Sequence, residues 1–269
     1  MAKNYYYSGQ GSLLMAERDP ITGQPGGFIR IGNVPELALN IEVTKFEHKE
    51  SESGARLVDL SLVTEKKGTF EFTVENLSMD NLAMGLWGEK QAIAGATVAT
   101  GTPENVVLGK FVAGAVYALN NPKVSSVVVK DSTGTTTYAA FNPANPSVPG
   151  DYILDEKNGT IEPVAGGLIA TATASAGVTL KVSYTYAAHE KVDAFTKAAA
   201  PERWLRFQGI NTIDDSRVIV DLFRAQFDPL TDYGLINEEL GSVKLNGTLL
   251  ADATRLTGSK FFSQRNLGV

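Results

Sequence analysis

The sequence reads as an all-β fold with one short flanking helix. Apolar and polar residues alternate at period 2 in many short segments, and Gly, Pro and Asn-Gly punctuators recur between them. Only residues 78–87 carry helical spacing. A chain of 269 residues holds a sizeable core, as one large or two ordinary domains.

Residues 1–27 read as an irregular arm: Tyr5-Tyr6-Tyr7 is followed by Gly9, Gly11, Asp19-Pro20 and Pro25-Gly26-Gly27, too densely punctuated for a long element. Within it, Ser12–Glu17 fits a strand or a single helical turn. Its aromatic rings call for burial against the same domain or a neighbouring chain. Leu37, Leu39, Ile41 and Val43 then alternate with polar partners, a half-buried strand over 36–46. Val58, Leu60 and Leu62 repeat the pattern over 57–66, with Val63 as the exception, and Phe70, Phe72 and Val74 over 69–75. Residues 47–56 form a charged connection longer than a usual hairpin loop, a candidate contact arm.

Ser78 can cap the helix, Asp80 suits its positive end, Leu82 and Leu86 share a face, and Gly88 follows as a stop. Residues 99–200 are poor in charge and rich in Ala, Val, Thr, Ser and Gly, an inserted all-β module. Strands are expected at 124–130, 152–154, 160–162 and 180–186, with a hairpin at Asn158-Gly159. From Pro201 the heavier composition returns, with strands over 204–210 and 217–227. Asn246-Gly247 marks a hairpin or a kinked strand, and Phe261-Phe262 offer exposed aromatics. The domains are therefore an arm at 1–27, a β domain from 28–98 and 201–269, and an inserted module at 99–200.

Charge and residue inventory exclude much chemistry. The chain carries 24 basic and 30 acidic residues, a net charge of −6, which argues against a protein that coats nucleic acid. With no cysteine, disulfide scaffolds, thiolate nucleophiles and zinc–thiolate sites are absent. His48 and His189, the two histidines, stand apart without ligand spacing. No phosphate loop or nucleophile elbow is present, and Asp214-Asp215 fits a turn better than a cation site. No cofactor, metal or catalytic residue is assigned. Residues 1–30 lack a secretory pattern, and the charge-free stretch 163–180 has too few large apolar residues to span a membrane.

One surface stands out. Glu36, Glu42, Glu65, Glu71 and Glu75 are polar partners of the alternating strands, so several carboxylates share the non-core face of one sheet. Two readings stay open: a solvated face relieved by Lys45, Lys66 and Lys67, or a face kept acidic so that a polyanion passes without sticking.

The order of features resembles a known family. Phe28-Ile29-Arg30-Ile31-Gly32-Asn33-Val34-Pro35-Glu36-Leu37 leads into the long-looped hairpin, and Glu75-Asn76-Leu77-Ser78-Met79-Asp80-Asn81-Leu82-Ala83-Met84-Gly85-Leu86-Trp87-Gly88 follows. Gly150-Asp151-Tyr152-Ile153-Leu154-Asp155 with Gly159-Thr160-Ile161, and Leu245-Asn246-Gly247-Thr248-Leu249-Leu250-Ala251-Asp252, complete the likeness. These segments are similar to the major tail tube protein of bacteriophages with long non-contractile tails.

The resemblance implies a β-sandwich or half-barrel subunit whose copies close into hexameric rings around one inter-subunit β-barrel. Rings stack into a tube in the virion through which DNA passes without specific binding. The implied partners are other copies, a tape measure protein, a tail terminator and tail tip proteins, with no cofactor and no membrane. Glu36, Glu42, Glu65, Glu71 and Glu75 would face the lumen. His48, Lys49, Glu50, Glu52 and Arg56 would bridge rings, and Tyr5, Tyr6, Tyr7 and Arg18 would contact a neighbouring subunit. The inserted module, immunoglobulin-like or otherwise, would decorate the outside. Alternatives are a monomeric β-sandwich surface-binding or adhesin module with an exposed aromatic platform, and an enzyme with two carboxyl groups about 5–10 Å apart.

Overall fold

Residues 6–52, 54–145, 148, 150–238 and 240–268 are described in the computed structural model. They divide into two compact units, one running to Lys90 and resuming at Val192, the other Gln91–Lys191. The insertion thus begins earlier than residue 99 and ends before residue 200. Residues 96–98 pair inside the second unit, which is why the boundary moves.

The first unit begins with β1 (Gly9–Glu17), β2 (Ile29–Arg30), β3 (Glu36–Lys49), β4 (Val58–Val74) and α1 (Met79–Gly85). The chain leaves through β5 (Glu89–Ile93). In the second unit follow β6 (Ala96–Val98), β7 (Glu104–Leu108), β8 (Tyr117–Ala118), β9 (Val124–Lys130) and β10 (Thr137–Tyr138). β11 (Tyr152–Asp155), β12 (Thr160–Pro163), α2 (Leu168–Ala172) and β13 (Val178–Tyr186) complete it. The chain returns through β14 (His189–Asp193), which pairs with β5, to β15 (Glu202–Asn211), β16 (Arg217–Phe227), β17 (Val243–Leu249) and β18 (Phe262–Gly268).

An eight-stranded antiparallel sheet in the order β2-β1-β15-β16-β17-β4-β3 forms the first unit, with β18 beside β16. Its core face carries Leu13, Leu205, Leu222, Phe227, Leu245, Phe70 and Phe72, and Leu82 and Met84 of α1 join the same cluster. The Phe227 ring meets Phe70 edge-on at 5.1 Å between centroids, a preferred aromatic geometry.

Several expectations need correction. Within the N-terminal arm the strand expected as one option over Ser12–Glu17 is present and starts earlier, at Gly9, pairing from Gly9 to Glu17 with β15. Gly11 is no punctuator: a Cβ there would lie 2.2 Å from the Gln208 carbonyl oxygen, so close strand approach requires glycine. The segments 57–66 and 69–75 are one strand of 17 residues. Asn246-Gly247 lies inside β17, where a Gly247 Cβ would stand 2.0 Å from the Gln226 carbonyl oxygen. Phe261 and Phe262 pack partly against the main core.

The helix is as expected at its start: Asn81 N–H donates to the Ser78 side chain at 3.3 Å. At its end Trp87, not Gly88, takes the left-handed conformation (φ 49°). Its indole Nε1 donates to the Phe227 carbonyl at 3.1 Å, which holds it there. A Gly88 Cβ would sit 2.5 Å from the Asp193 carbonyl, so that glycine serves close approach.

The second unit is also all-β, with a core of Val129, Ile161, Ile169, Leu180, Val182 and Tyr184. The Tyr184 hydroxyl donates to the Glu104 carboxylate; burial, with that hydrogen bond adding, pushes its pKa up to about 12. Within the charge-free stretch 163–180 the chain forms the short helix α2 at Leu168–Ala172. Leu168 N–H donates to Asp151 Oδ1 at 2.7 Å, and Ile169 is fully buried. Among the described residues no helix is long and apolar enough to cross a membrane.

Asp221 on β16 is the chief buried charge of the sheet. Arg206 (2.6 Å), Trp204 Nε1 (3.2 Å) and Arg265 of β18 all donate to it. Burial pushes its pKa up, but these bonds outweigh burial and hold it below the ordinary aspartate value of 3.8. A lowered folded-state pKa makes the contribution full above the unfolded value and removes it as pH falls through the folded one. Asp221→Asn should therefore destabilise the chain by about 3 kcal/mol at pH 7, the low end for breaking a buried pair because Arg265 can reach solvent. Urea unfolding should show the gap between variant and parent closing below pH 4.

Candidate functional site

The feature that sets this molecule apart is the ribbon made by β3 and β4. β17 pairs with β4 only from Gly68 to Val74. Beyond Gly68, β4 continues for ten residues with β3 as its only paired neighbour among the described residues. Every side chain described from Asn40 to Lys49 and from Val58 to Lys67 is exposed. A two-stranded ribbon without a packed face has little stability of its own in water.

Register decides which side chains share a face. Leu37 and Leu39 oppose Phe72 and Phe70 on the core face. On the other face Glu36 opposes Thr73, Ala38 opposes Glu71, Glu42 opposes Lys67 and Thr44 opposes Glu65. Four of the five carboxylates singled out in the sequence therefore form one row. Glu75 lies past the end of β4, where it accepts a bond from Asn33 Nδ2 at 2.5 Å, and stands outside the row.

The relief of charge also differs from expectation. Lys66 and Lys45 oppose Val43 and Val63 on the core side of the ribbon, leaving Lys67 on the acidic face. Lys244 of β17 joins it, its ammonium 2.8 Å from Glu71, and that carboxylate raises the lysine pKa. Only the strand order brings Lys244 there, so no local pattern in the sequence points to it.

Two irregularities shape the upper ribbon. The register shifts between Thr44 and Lys45, leaving Thr64 as an extra residue whose hydroxyl donates to the Thr44 carbonyl at 3.1 Å. Past that bulge Leu62 and Leu60 oppose Phe46 and His48, on the face of the carboxylate row. The alternation of Val58, Leu60 and Leu62 is thus exposed rather than half-buried, and Val63 ceases to be an exception.

A second shift leaves Asp59 extra; its carboxylate meets His48 Nδ1 at 2.7 Å. His48 and Lys49 belong to β3, so the connection spans 50–57 rather than 47–56. Glu50 organises it: its carboxylate accepts from Glu52 N–H at 2.7 Å and Leu57 N–H at 3.4 Å. Arg56 turns the chain with φ 50°.

The arm residues separate. Arg18 is buried against Asp252 at 2.7 Å inside its own subunit, so the contact assigned to a neighbour is intramolecular. Tyr6 and Tyr7 are exposed, and Asn211 Nδ2 donates to the Tyr6 carbonyl at 3.0 Å. Tyr5 lies outside the described residues. Among the described residues no cluster of three or more His, Asp or Glu side chains is arranged to hold a metal ion.

Because the upper ribbon contributes nothing to the core, it should be removable. Thr44 and Glu65 are directly opposite, so an Asn-Gly turn can replace residues 45–64. Circular dichroism should show an unchanged β spectrum and a melting midpoint within about 4 °C of the parent, equivalent to about 1 kcal/mol.

Comparison with known proteins gives one result. No curated protein matches the chain. A family model, by contrast, matches residues 6–265 and so takes in β1 through most of β18. The chain belongs to the family described as Protein of unknown function UCP028589.

Proposed function

We propose that this chain is a tail tube subunit, polymerising into stacked hexameric rings that form an acidic-lined conduit for DNA in a phage virion. The exposed β3–β4 ribbon carries the reading. Ile41, Val43, Phe46, Val58, Leu60, Leu62 and Val63 all stand about half or more exposed on it. Burying what remains of seven such side chains is worth on the order of 5–10 kcal/mol. A ribbon with apolar residues on both faces and open strand edges is suited to burial between neighbouring copies.

Strand direction supports closure into a ring. β3 forms one edge of the sheet, and β2 with the following Ile31 covers β1 at Leu13, Leu14 and Met15, leaving Gly9–Ser12 with an open edge among the described residues. Counted along the sheet, β1 and β3 run in opposite senses. Setting β3 of one copy beside β1 of the next therefore continues the antiparallel order. Such a heterologous contact repeats until it closes. The carboxylate row then lies on the sheet face away from the core, where a barrel would present it to its interior. Tape measure, terminator and tip proteins would meet the inside and the two ends of this polymer.

The adhesin reading asks for an exposed aromatic platform. Among the described residues of the second unit, Tyr138, Tyr152 and Tyr184 are buried, and Phe111, Tyr117, Phe141 and Tyr186 are half-buried. The described residues of the second unit therefore offer no aromatic platform; the exposed rings Tyr6, Tyr7, Phe46 and Phe195 belong to the first unit.

Electron microscopy at high protein concentration, beside a sizing column, should show six-fold rings or hollow tubes for the parent and monomers for the 45–64 replacement. A parent that stays monomeric to its solubility limit and does not add to isolated tail tips would overturn the reading. With Glu36, Glu42, Glu65 and Glu71 all changed to lysine, tubes should retain labelled DNA that parent tubes release. Equal release from both would remove the lumen assignment.

A further inference from the structure

We infer that the loop between β16 and β17 docks into an apolar cavity at the root of the ribbon on a second copy of the chain, and that this is a contact between successive rings. The inference rests on the tube reading and supplies an interface that reading leaves open. The loop is anchored at its base, where Leu230 N–H donates to the Gly85 carbonyl at 2.8 Å and Leu230 and Tyr233 pack on the main core. Past that anchor it turns outward. Leu235, Ile236 and Leu240 are 77%, 97% and 84% exposed, a cluster of aliphatic side chains in water on a loop whose base is fixed. Exposed apolar clusters of this kind mark interaction sites.

The matching cavity lies where β4 parts from the sheet. Ile41, Val43, Gly68, Leu249, Phe261 and Phe262 line a volume of about 120 Å³. The hollow opens to solvent beside the half-exposed Val43, and its volume has room for a single branched aliphatic side chain. Gly68 matters here, because at that position the strand offers no side chain to fill the space.

Charge fits as well. Lys66, on the same side of the ribbon as Ile41 and Val43, borders the cavity, while exposed Asp232 and Glu238 flank the apolar residues of the loop. On any one copy the loop joins β17 at Val243 and the cavity takes in Leu249, the opposite end of the same strand. A knob at one end and a socket at the other join copies head to tail, an arrangement that propagates.

The absence of cysteine makes the test direct. Ile236→Cys and Val43→Cys are made in separate chains of different mass, mixed, and treated with a short bis-maleimide under assembling conditions. A heterodimer band is expected in the mixture and no band from either variant alone. Lys66→Glu in the Val43→Cys chain should lower its yield about threefold, the effect of one exposed ion pair reversed. Asp232→Lys with Glu238→Lys in the other chain should restore it. An Ile236→Cys homodimer would mean that knob meets knob and would overturn the assignment. Rings or tubes without the heterodimer would overturn the docking and leave the tube standing. No heterodimer, with a parent that neither assembles nor adds to isolated tail tips, would overturn both.

Discussion

Strand β4 is longer than the sheet that holds it. Its 17 residues meet only seven of β17, and the place where β17 would continue along β16 is taken by β18. Much of the first unit follows from that mismatch. The sheet forks at Gly68, the upper halves of β3 and β4 stand free as a ribbon, and a small apolar cavity opens in the fork. The lower half of the same strand sits in the core through Phe70, Phe72 and Val74, so one continuous strand is half-buried below the fork and exposed above it.

The two halves use alternation differently. Below Gly68 period 2 sorts side chains into a core face and a polar face, as in any half-buried sheet. Above it there is no core, and the bulge at Thr64 transfers Leu60 and Leu62 to the face of the carboxylates. Hydrophobic side chains then occupy both faces of the ribbon. The strand pattern is that of an element to be buried, while the described residues of the single chain leave it exposed.

This history explains what was legible in the sequence. Alternation located β3, β9, β13, β15 and β16, and Ser78 located the start of α1, because those signals are local. The carboxylate row was legible from parity alone. β4 reads as two strands because Lys66-Lys67-Gly68 interrupts the apolar alternation, and β1 is broken up by glycines whose purpose is close packing. Arg18 looked like a contact residue because its partner Asp252 lies 234 positions away. Lys244 reaches the acidic face only through strand order, and the sharing of an edge between β17 and β18 has no signature in sequence at all.

Continuity of β4 through the fork has a mechanical meaning. A pull on the ribbon tip along its axis loads the seven β4–β17 pairs together, in shear, instead of opening them one by one. The load arrives at the edge-on contact between Phe70 and Phe227 with no hinge between tip and core, since Gly68 is itself a paired residue of the ladder. Resistance to such a pull is then set by the interior of the subunit rather than by its surface.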